Sequence, residues 1–165
     1  MAEQKTPLKL NKDSFEVYYQ KHANNALRVA AAVVRSDAAA ADVVQETFLR
    51  VYLNMHKFDN TKNFEPWFYR ILINECRRAY GRKYETSPIE DLSELAQPIK
   101  SEYDYLYEAI GELKKSQRIP IILRYLSGYS DKEIAVILRL NLTTVKARIK
   151  RGKEKLRLIL QREND

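Results

Sequence analysis

The sequence predicts an all-α protein made of two small helical domains that a flexible linker joins, and three observations support this. Only 4 of the 165 residues are Gly and 5 are Pro, which leaves few of the turns that a strand-rich fold needs. Apolar residues recur at helical spacing over residues 13–82 and again over 102–162. Between these segments, residues 83–101 hold two prolines and four acidic residues, a composition typical of a linker.

Charge is distributed unevenly along the chain, whose formal net charge is +7. Residues 1–82 carry 13 basic and 9 acidic side chains, residues 83–108 carry 2 and 7, and residues 109–165 carry 14 and 6. Two basic segments thus flank an acidic one, which favours a polyanionic partner that contacts both ends of the chain. A solvated basic surface without such a partner explains the charge equally well.

Several features indicate a cytoplasmic protein. The single cysteine, Cys76, cannot form an internal disulfide, which fits a reducing compartment. No apolar run reaches the roughly 18 residues that a membrane span needs, and the N-terminus lacks the core of a signal peptide. Residues 1–12 show no periodicity, and we expect them to form a mobile tail.

The C-terminal domain, residues 102–165, contains the pattern of a helix-turn-helix. Ser130 and Glu133 have the spacing of a capping box, and a short apolar helix follows them. Asn141 can then cap a second helix that begins at Leu142. One face of this second helix carries the apolar residues Val145, Ile149, Gly152 and Leu156.

The opposite face of the second helix suits a DNA groove. It combines small and hydroxyl side chains, which permit close approach to base edges, with cations that reach bases or phosphates. We expect it to bind DNA through Thr143, Thr144, Lys146, Ala147, Arg148, Lys150 and Arg151.

In the N-terminal domain, residues 13–82, the helix after Asp37 has two distinct faces. One is an apolar stripe that should face the core, namely Val44, Phe48, Val51 and Met55. The other mixes leucines with polar side chains, namely Asp42, Gln45, Glu46, Leu49 and Leu53. This mixed face fits docking to a partner helix. Packing of Leu49 and Leu53 under a neighbouring helix of the same domain is an equal alternative.

A polar loop over residues 58–63 precedes a helix that we predict over residues 64–80. Its aromatic and aliphatic residues at helical spacing, including Phe64 and Trp67, are expected in the core. Its far side carries Arg70 and Arg77, which could hold phosphates, and Asn74, which could hydrogen-bond a base edge.

Catalytic chemistry finds no support in the sequence. His22 and His56 are isolated, and Cys76 is expected to be a packed thiol. Asp42 and Glu46 could share a metal, but no third ligand is evident. We therefore expect no enzyme activity, cofactor, metal or small-molecule substrate.

Four segments resemble the bacterial sigma factors: residues 42–50 (DVVQETFLR), 67–74 (WFYRILIN), 129–135 (YSDKEIA) and 144–148 (TVKAR). Their order and the length of the chain are similar to the extracytoplasmic-function (ECF) group. Arg139 departs from the glycine frequent in the family's turn. Ile73 and Arg78 also differ from the residues that are frequent in the family at these positions, which leaves the base preference at the −10 element open.

The resemblance implies a function in promoter-specific transcription initiation with core RNA polymerase. It assigns polymerase binding to Asp42, Gln45, Glu46 and Leu49. It also implies capture of a flipped base of the −10 element by the loop and the following helix, for which our candidates are Lys62, Asn63, Phe64 and Asn74, with Arg70 and Arg77 beside them. The helix matching residues 141–160 would read the −35 element.

The resemblance suggests two further features. The acidic linker would thread toward the active-site cleft of the polymerase, although a passive tether is an alternative. A membrane-anchored anti-sigma factor is a further candidate partner.

The main alternative function is that of a free-standing helix-turn-helix regulator that binds an operator without polymerase. The sequence shows no dimerisation seam for such a regulator.

Overall fold

The computed structural model describes residues 8–85 and 104–162, and within them every regular element is a helix. The helices, in chain order, are α1 (Phe15–Val34), α2 (Asp37–Asn54), a 3-10 turn (Met55–Lys57), α3 (Phe64–Glu85), α4 (Asp104–Gly111), α5 (Lys115–Tyr125), α6 (Asp131–Leu138) and α7 (Leu142–Arg162). No helix in these ranges is long and apolar enough to cross a bilayer. The predicted fold class is confirmed.

A cluster of aromatic rings holds the N-terminal module together. Phe64, at the start of α3, has its ring centroid 4.5 Å from that of Tyr18 and 5.0 Å from that of His22, both on α1. Its neighbour Phe68 lies 5.1 Å from Phe48 of α2. Since burial of such rings is a large favourable term, this cluster fixes α1, α2 and α3 against one another.

Helix α2 buries the stripe that the sequence predicts. Val44, Phe48 and Val51 are buried, whereas Leu49 is 51% exposed and Leu53 is 59% exposed. The alternative in which the two leucines pack under a neighbouring helix is therefore wrong. They form an apolar part of the protein surface instead.

Part of the predicted tail is packed against the N-terminal module. Leu10 is buried, and its N–H donates to Asn60 Oδ1 of the polar loop at 2.7 Å. Ser14 Oγ donates to the carbonyl of Lys9 at 2.6 Å. The expectation of a mobile tail is therefore wrong for residues 8–12, because an apolar side chain and a buried hydroxyl fasten this stretch; residues 1–7 lie outside the described part.

The helix-turn-helix forms as the sequence predicts. Ser130 and Glu133 make both hydrogen bonds of the capping box at the start of α6. Asn141 Oδ1 accepts from the Thr144 N–H at 2.7 Å and so caps α7. Between the helices Arg139 adopts the left-handed region, with φ 53°, and its N–H satisfies the last carbonyls of α6. The turn thus keeps the conformation that favours glycine, although an arginine occupies it.

The two modules contact each other directly. Arg118 of α5 is buried and donates to the carbonyl of Val33, in the last turn of α1, at 3.1 Å. Its second nitrogen donates to the carbonyls of Gly111 and Leu113. The arginine therefore caps α1 of one module with a side chain of the other. Most of the predicted linker, residues 86–101, lies outside the described part, and α3 continues to Glu85.

His22 makes the stability of the N-terminal module sensitive to acid. Burial is the main cause that lowers the pKa of His22, and Lys21 adds to it, whereas Glu65 opposes it. The contribution of His22 to the free energy of unfolding is fully present above the unfolded-state pKa near 6.5. It is lost as the pH falls through the lower pKa of the folded state. We expect His22→Gln to flatten the decline of the unfolding free energy between pH 7.5 and pH 5, measured by urea unfolding.

The matched control for this experiment is His56→Gln, because His56 is exposed on the 3-10 turn. It should retain the pH dependence of the wild type. An equal flattening in both variants would contradict the assignment to His22.

Candidate nucleic-acid interface

A groove between α2 and α3, which we call the acidic groove, brings together the four predicted polymerase-binding residues. Its volume is about 490 Å³, and Asp42, Gln45, Glu46 and Leu49 line it from α2. Glu75 of α3 contributes from the opposite side. An apolar side chain among carboxylates suits a partner helix that presents both apolar and basic residues.

Glu75 organises the wall of the acidic groove. Its carboxylate is only 3% exposed, and its Oε1 lies 2.6 Å from Arg50 Nε and 2.8 Å from Arg78 Nη1. Arg50 Nε also lies 3.2 Å from Glu46 Oε1. A buried carboxylate thus holds Arg50, which in turn holds Glu46 at the surface. Removing the arginines is costly, because the buried carboxylate of Glu75 would be left without compensation.

A second cavity of about 270 Å³, which we call the loop cleft, lies between α1 and the polar loop. Asn60, Lys62 and Asn63 of the loop line one side, and Tyr18 of α1 lines the other. Phe64 contributes to its floor but is itself buried in the aromatic cluster. A cavity with aromatic rings, amides and a cation can receive a planar, polar ring next to a phosphate.

The polar loop is shaped by Asp59. Its Oδ1 accepts from the Thr61 N–H at 3.0 Å and from the Thr61 hydroxyl at 2.6 Å. These hydrogen bonds stabilise the charged form and hold the pKa of the Asp59 carboxyl below its usual value. The Lys62 N–H donates to the Asp59 carbonyl and closes the turn. The local sequence therefore directs the following residues into the loop cleft.

The predicted polar residues of α3 differ in their surroundings. Asn74 and Arg77 are exposed on this helix. Arg70 is half-buried, and its Nη2 donates to the carbonyl of Val136 in α6 at 2.7 Å. In this arrangement, Arg70 contacts the other module. Asn74 lies ten residues beyond Phe64, about 15 Å farther along the helix, so α3 does not bring it into the loop cleft.

Helix α7 presents the predicted DNA-binding residues on one side. Val145, Ile149 and Gly152 are buried against the rest of the C-terminal module. The polar face remains fully or partly exposed and carries Thr143, Thr144, Lys146, Ala147, Arg148, Lys150 and Arg151. Asn141 caps the start of α7, so this face begins at a helix N-terminus, where backbone N–H groups attract phosphates.

Two family matches cover most of the chain. Sigma-70 region 2 matches residues 18–86, and Sigma-70, region 4 matches residues 103–156. The ECF RNA polymerase sigma factor SigW of Bacillus subtilis is 31% identical over 137 residues, which cover 72% of this chain and 73% of SigW. The chain belongs to the ECF group of RNA polymerase sigma factors. As a sigma factor it acts with RNA polymerase in the initiation of transcription at promoters.

Other relatives and solved structures agree with this membership. The sigma factor is 28% identical to CarQ of Myxococcus xanthus over 156 residues, with 90% of each protein covered. The structure of CnrH in complex with the cytosolic domain of CnrY superposes with a TM-score of 0.74 at 26% identity, covering 92% of this chain and 90% of CnrH. The RpoE–NepR complex from Bartonella quintana gives a TM-score of 0.75 at 24% identity, covering 90% and 98%, and shows the same fold.

The structure of this sigma factor adds contributors that the sequence analysis did not identify. Glu75 lines the acidic groove, Arg50 connects Glu75 to Glu46, and Asn60 lines the loop cleft. The sequence signal for Glu75 is a carboxylate close to the apolar Ile73 and Cys76, because a charge in such a stretch usually needs a buried partner.

Cys76 is a buried thiol, as the sequence predicts. Burial raises the pKa of the Cys76 thiol to about 12, which keeps it protonated and unreactive. Within residues 8–85 and 104–162, no cluster of three or more His, Cys, Asp or Glu side chains is arranged to hold a metal.

Gly152 seats the DNA-binding helix of the sigma factor. A Cβ at this position would lie 2.9 Å from Cγ1 of Ile121, whose side chain is fully buried in α5. We expect Gly152→Ala to destabilise the C-terminal module by about 1–2 kcal/mol, because overpacking exceeds the gain in helix propensity. Urea unfolding measures the change.

Gly81→Ala is the matched control, since Gly81 lies in α3 with no atom within 4 Å of an added Cβ. It should stabilise the protein by about 0.5–1 kcal/mol through helix propensity alone. Stabilisation of the same size by Gly152→Ala would show that α7 does not need this close approach.

Proposed function

We propose that three separate surfaces of this sigma factor divide the work of promoter recognition. The acidic groove binds core RNA polymerase, the loop cleft and the exposed face of α3 capture the −10 element, and α7 reads the −35 element. The observation that carries the proposal is the assembly of Asp42, Gln45, Glu46 and Leu49 into one groove, which an isolated DNA-binding regulator does not need.

Three properties support polymerase docking at the acidic groove. Leu49 and Leu53 are exposed, although burying them against a partner would be favourable. Carboxylates surround Leu49, so a basic partner gains charge complementarity. Glu75 and Arg50 hold Glu46 in place before the partner arrives, which lowers the entropic cost of binding.

Capture of the −10 element as a single strand is supported by the chemistry of the loop cleft. An unstacked base costs a few kcal/mol to expose, and a pocket must recover this through stacking and hydrogen bonds. Tyr18 offers an aromatic ring, Asn63 offers an amide, and Lys62 can neutralise the adjacent phosphate. Phe64 acts as the support of the cleft. Asn74 and Arg77 would then contact the strand farther along α3.

Recognition of the −35 element is supported by the exposed face of α7. Threonines and Ala147 near its start leave room for base edges, while the cations reach phosphates and guanines. We assign this role to the domain of residues 102–165, and polymerase docking with −10 capture to the domain of residues 13–82. The acidic linker, residues 83–101, would connect them on the polymerase surface.

We propose that this sigma factor is a non-catalytic subunit that acts in the cytoplasm. An anti-sigma factor is a further proposed partner. The solved neighbour RpoE is described in complex with the anti-sigma factor NepR, and CnrH with the cytosolic domain of CnrY. A partner anchored in the membrane would contact this chain from the cytoplasmic side.

Run-off transcription from genomic fragments with core polymerase tests the polymerase role. We expect promoter-specific transcripts only when the chain is added, and we expect Glu46→Lys to weaken core binding by at least about tenfold, because it reverses one charge of the acidic groove. Glu16→Lys makes the same charge change on an exposed part of α1 and should bind core normally. Tight binding of the free chain to its own duplex, without association with core polymerase, would instead support a free-standing regulator.

Binding to −35 duplex DNA at several salt concentrations tests α7. Arg148→Ala and Lys150→Ala should each lower the slope of log affinity against log salt by about one, because each removes one phosphate contact. Lys57→Ala removes an exposed charge of the N-terminal module and should leave the slope unchanged. Wild-type slopes for both α7 variants would remove these residues from the DNA interface.

A further inference from the structure

The segment of residues 8–10 forms part of the loop cleft although it lies fifty positions before the loop in the sequence. Leu8 lines the cleft together with Asn60 and Tyr18. The side chain of Leu8 is 53% exposed, whereas Leu10 is buried in the apolar core. The segment thus places an exposed apolar side chain at the rim of the cleft and anchors itself two residues later.

Each of the three residues in this segment is held by a separate hydrogen bond. The carbonyl of Leu8 accepts from the Tyr18 hydroxyl of α1. The carbonyl of Lys9 accepts from Ser14 Oγ at 2.6 Å, and Ser14 is itself buried. The N–H of Leu10 donates to Asn60 Oδ1 at 2.7 Å. The segment is therefore fastened to α1 on one side and to the polar loop on the other.

The bond to Leu10 also fixes the orientation of the Asn60 amide. A backbone N–H can only donate, so the amide must turn its carbonyl oxygen toward Leu10. The Nδ2 group then remains to donate, and among residues 8–85 and 104–162 it donates to no protein atom. A flip of the amide would place two donors against each other. Asn60 can consequently offer a donor through Nδ2, while its oxygen already accepts from the N-terminal segment.

We propose that residues 8–10 are the outer wall of the base-binding cleft, and that Asn60 is a positioning residue that sets the distance between this wall and the loop. The N-terminal segment thereby takes part in selecting the promoter base. This inference rests on the proposed capture of an unstacked −10 base by the loop cleft. The favoured ligand is an unstacked base whose ring face packs against Leu8.

The test uses holoenzyme assembled from core polymerase and the full chain. Fluorescence anisotropy measures its affinity for single-stranded −10 oligonucleotides in which each position carries every base in turn or an abasic site. The wild type should discriminate among bases at one position. Leu8→Ala and Asn60→Ala should each reduce that discrimination about threefold to tenfold, the effect of one lost contact. Affinity for the abasic oligonucleotide at that position should stay within about twofold of wild type.

Leu27→Ala is the matched control, because Leu27 is an exposed leucine on α1 that does not line the cleft. It should discriminate like the wild type. Wild-type discrimination in both Leu8→Ala and Asn60→Ala would overturn the inference, as would an equal loss of affinity for all bases and for the abasic site. Because Leu8 is exposed, Leu8→Ala should leave the fold intact. This variant therefore tests the inference even if Asn60→Ala lowers the melting temperature.

Lys62→Ala and Asn63→Ala separate failure of this inference from failure of the proposed function. If these loop variants lose affinity or discrimination while Leu8→Ala and Asn60→Ala do not, the cleft binds a base without help from the N-terminal segment. If none of the four variants changes either quantity, the loop cleft is not the base site, and the proposed function of the cleft fails with the inference.

Discussion

The ring of Phe64 is the contact on which the N-terminal module depends. It touches Tyr18 and His22 of α1, Phe58 of the polar loop and Phe68 of its own helix. Through Phe68 the same cluster reaches Phe48, which seats α2. One set of buried rings therefore fixes two surfaces on different sides of the module: the acidic groove, which borders α2, and the loop cleft, whose floor is Phe64 itself. Rigid scaffolds of this kind hold polar residues in place before a ligand arrives.

The contact between the modules imposes a second constraint. Arg118 caps α1, Arg70 bonds the Val136 carbonyl of α6, and the ring of Tyr69 stands 5.2 Å from that of Tyr129. The acidic groove and the polar face of α7 are open in the same arrangement. The contact between the modules therefore leaves both proposed interfaces accessible.

The acidic groove and the loop cleft share one design. In each, a residue that faces the proposed ligand is held in place by a second residue of the same cavity. Glu75 holds Arg50 and through it Glu46, while Asn60 holds the N-terminal segment. Both arrangements connect parts of the chain that are far apart in sequence. A change in the supporting residue would therefore alter recognition through the residue that it holds.

The sequence by itself determined the features that depend on neighbours along the chain. Helical periodicity, the capping box at Ser130 and the cap at Asn141 are set by residues three or four positions apart, so they could be predicted, and so could the exposed face of α7. Only the tertiary structure decided that Leu49 lies at the surface and not in the core. It also decided which carbonyl accepts from Arg70 and that residues 8–12 pack against the N-terminal module. These outcomes depend on which distant segments meet. No local pattern encodes the hydrogen bond between Leu10 and Asn60 or the capping of α1 by Arg118, because both arise only when the helices have packed.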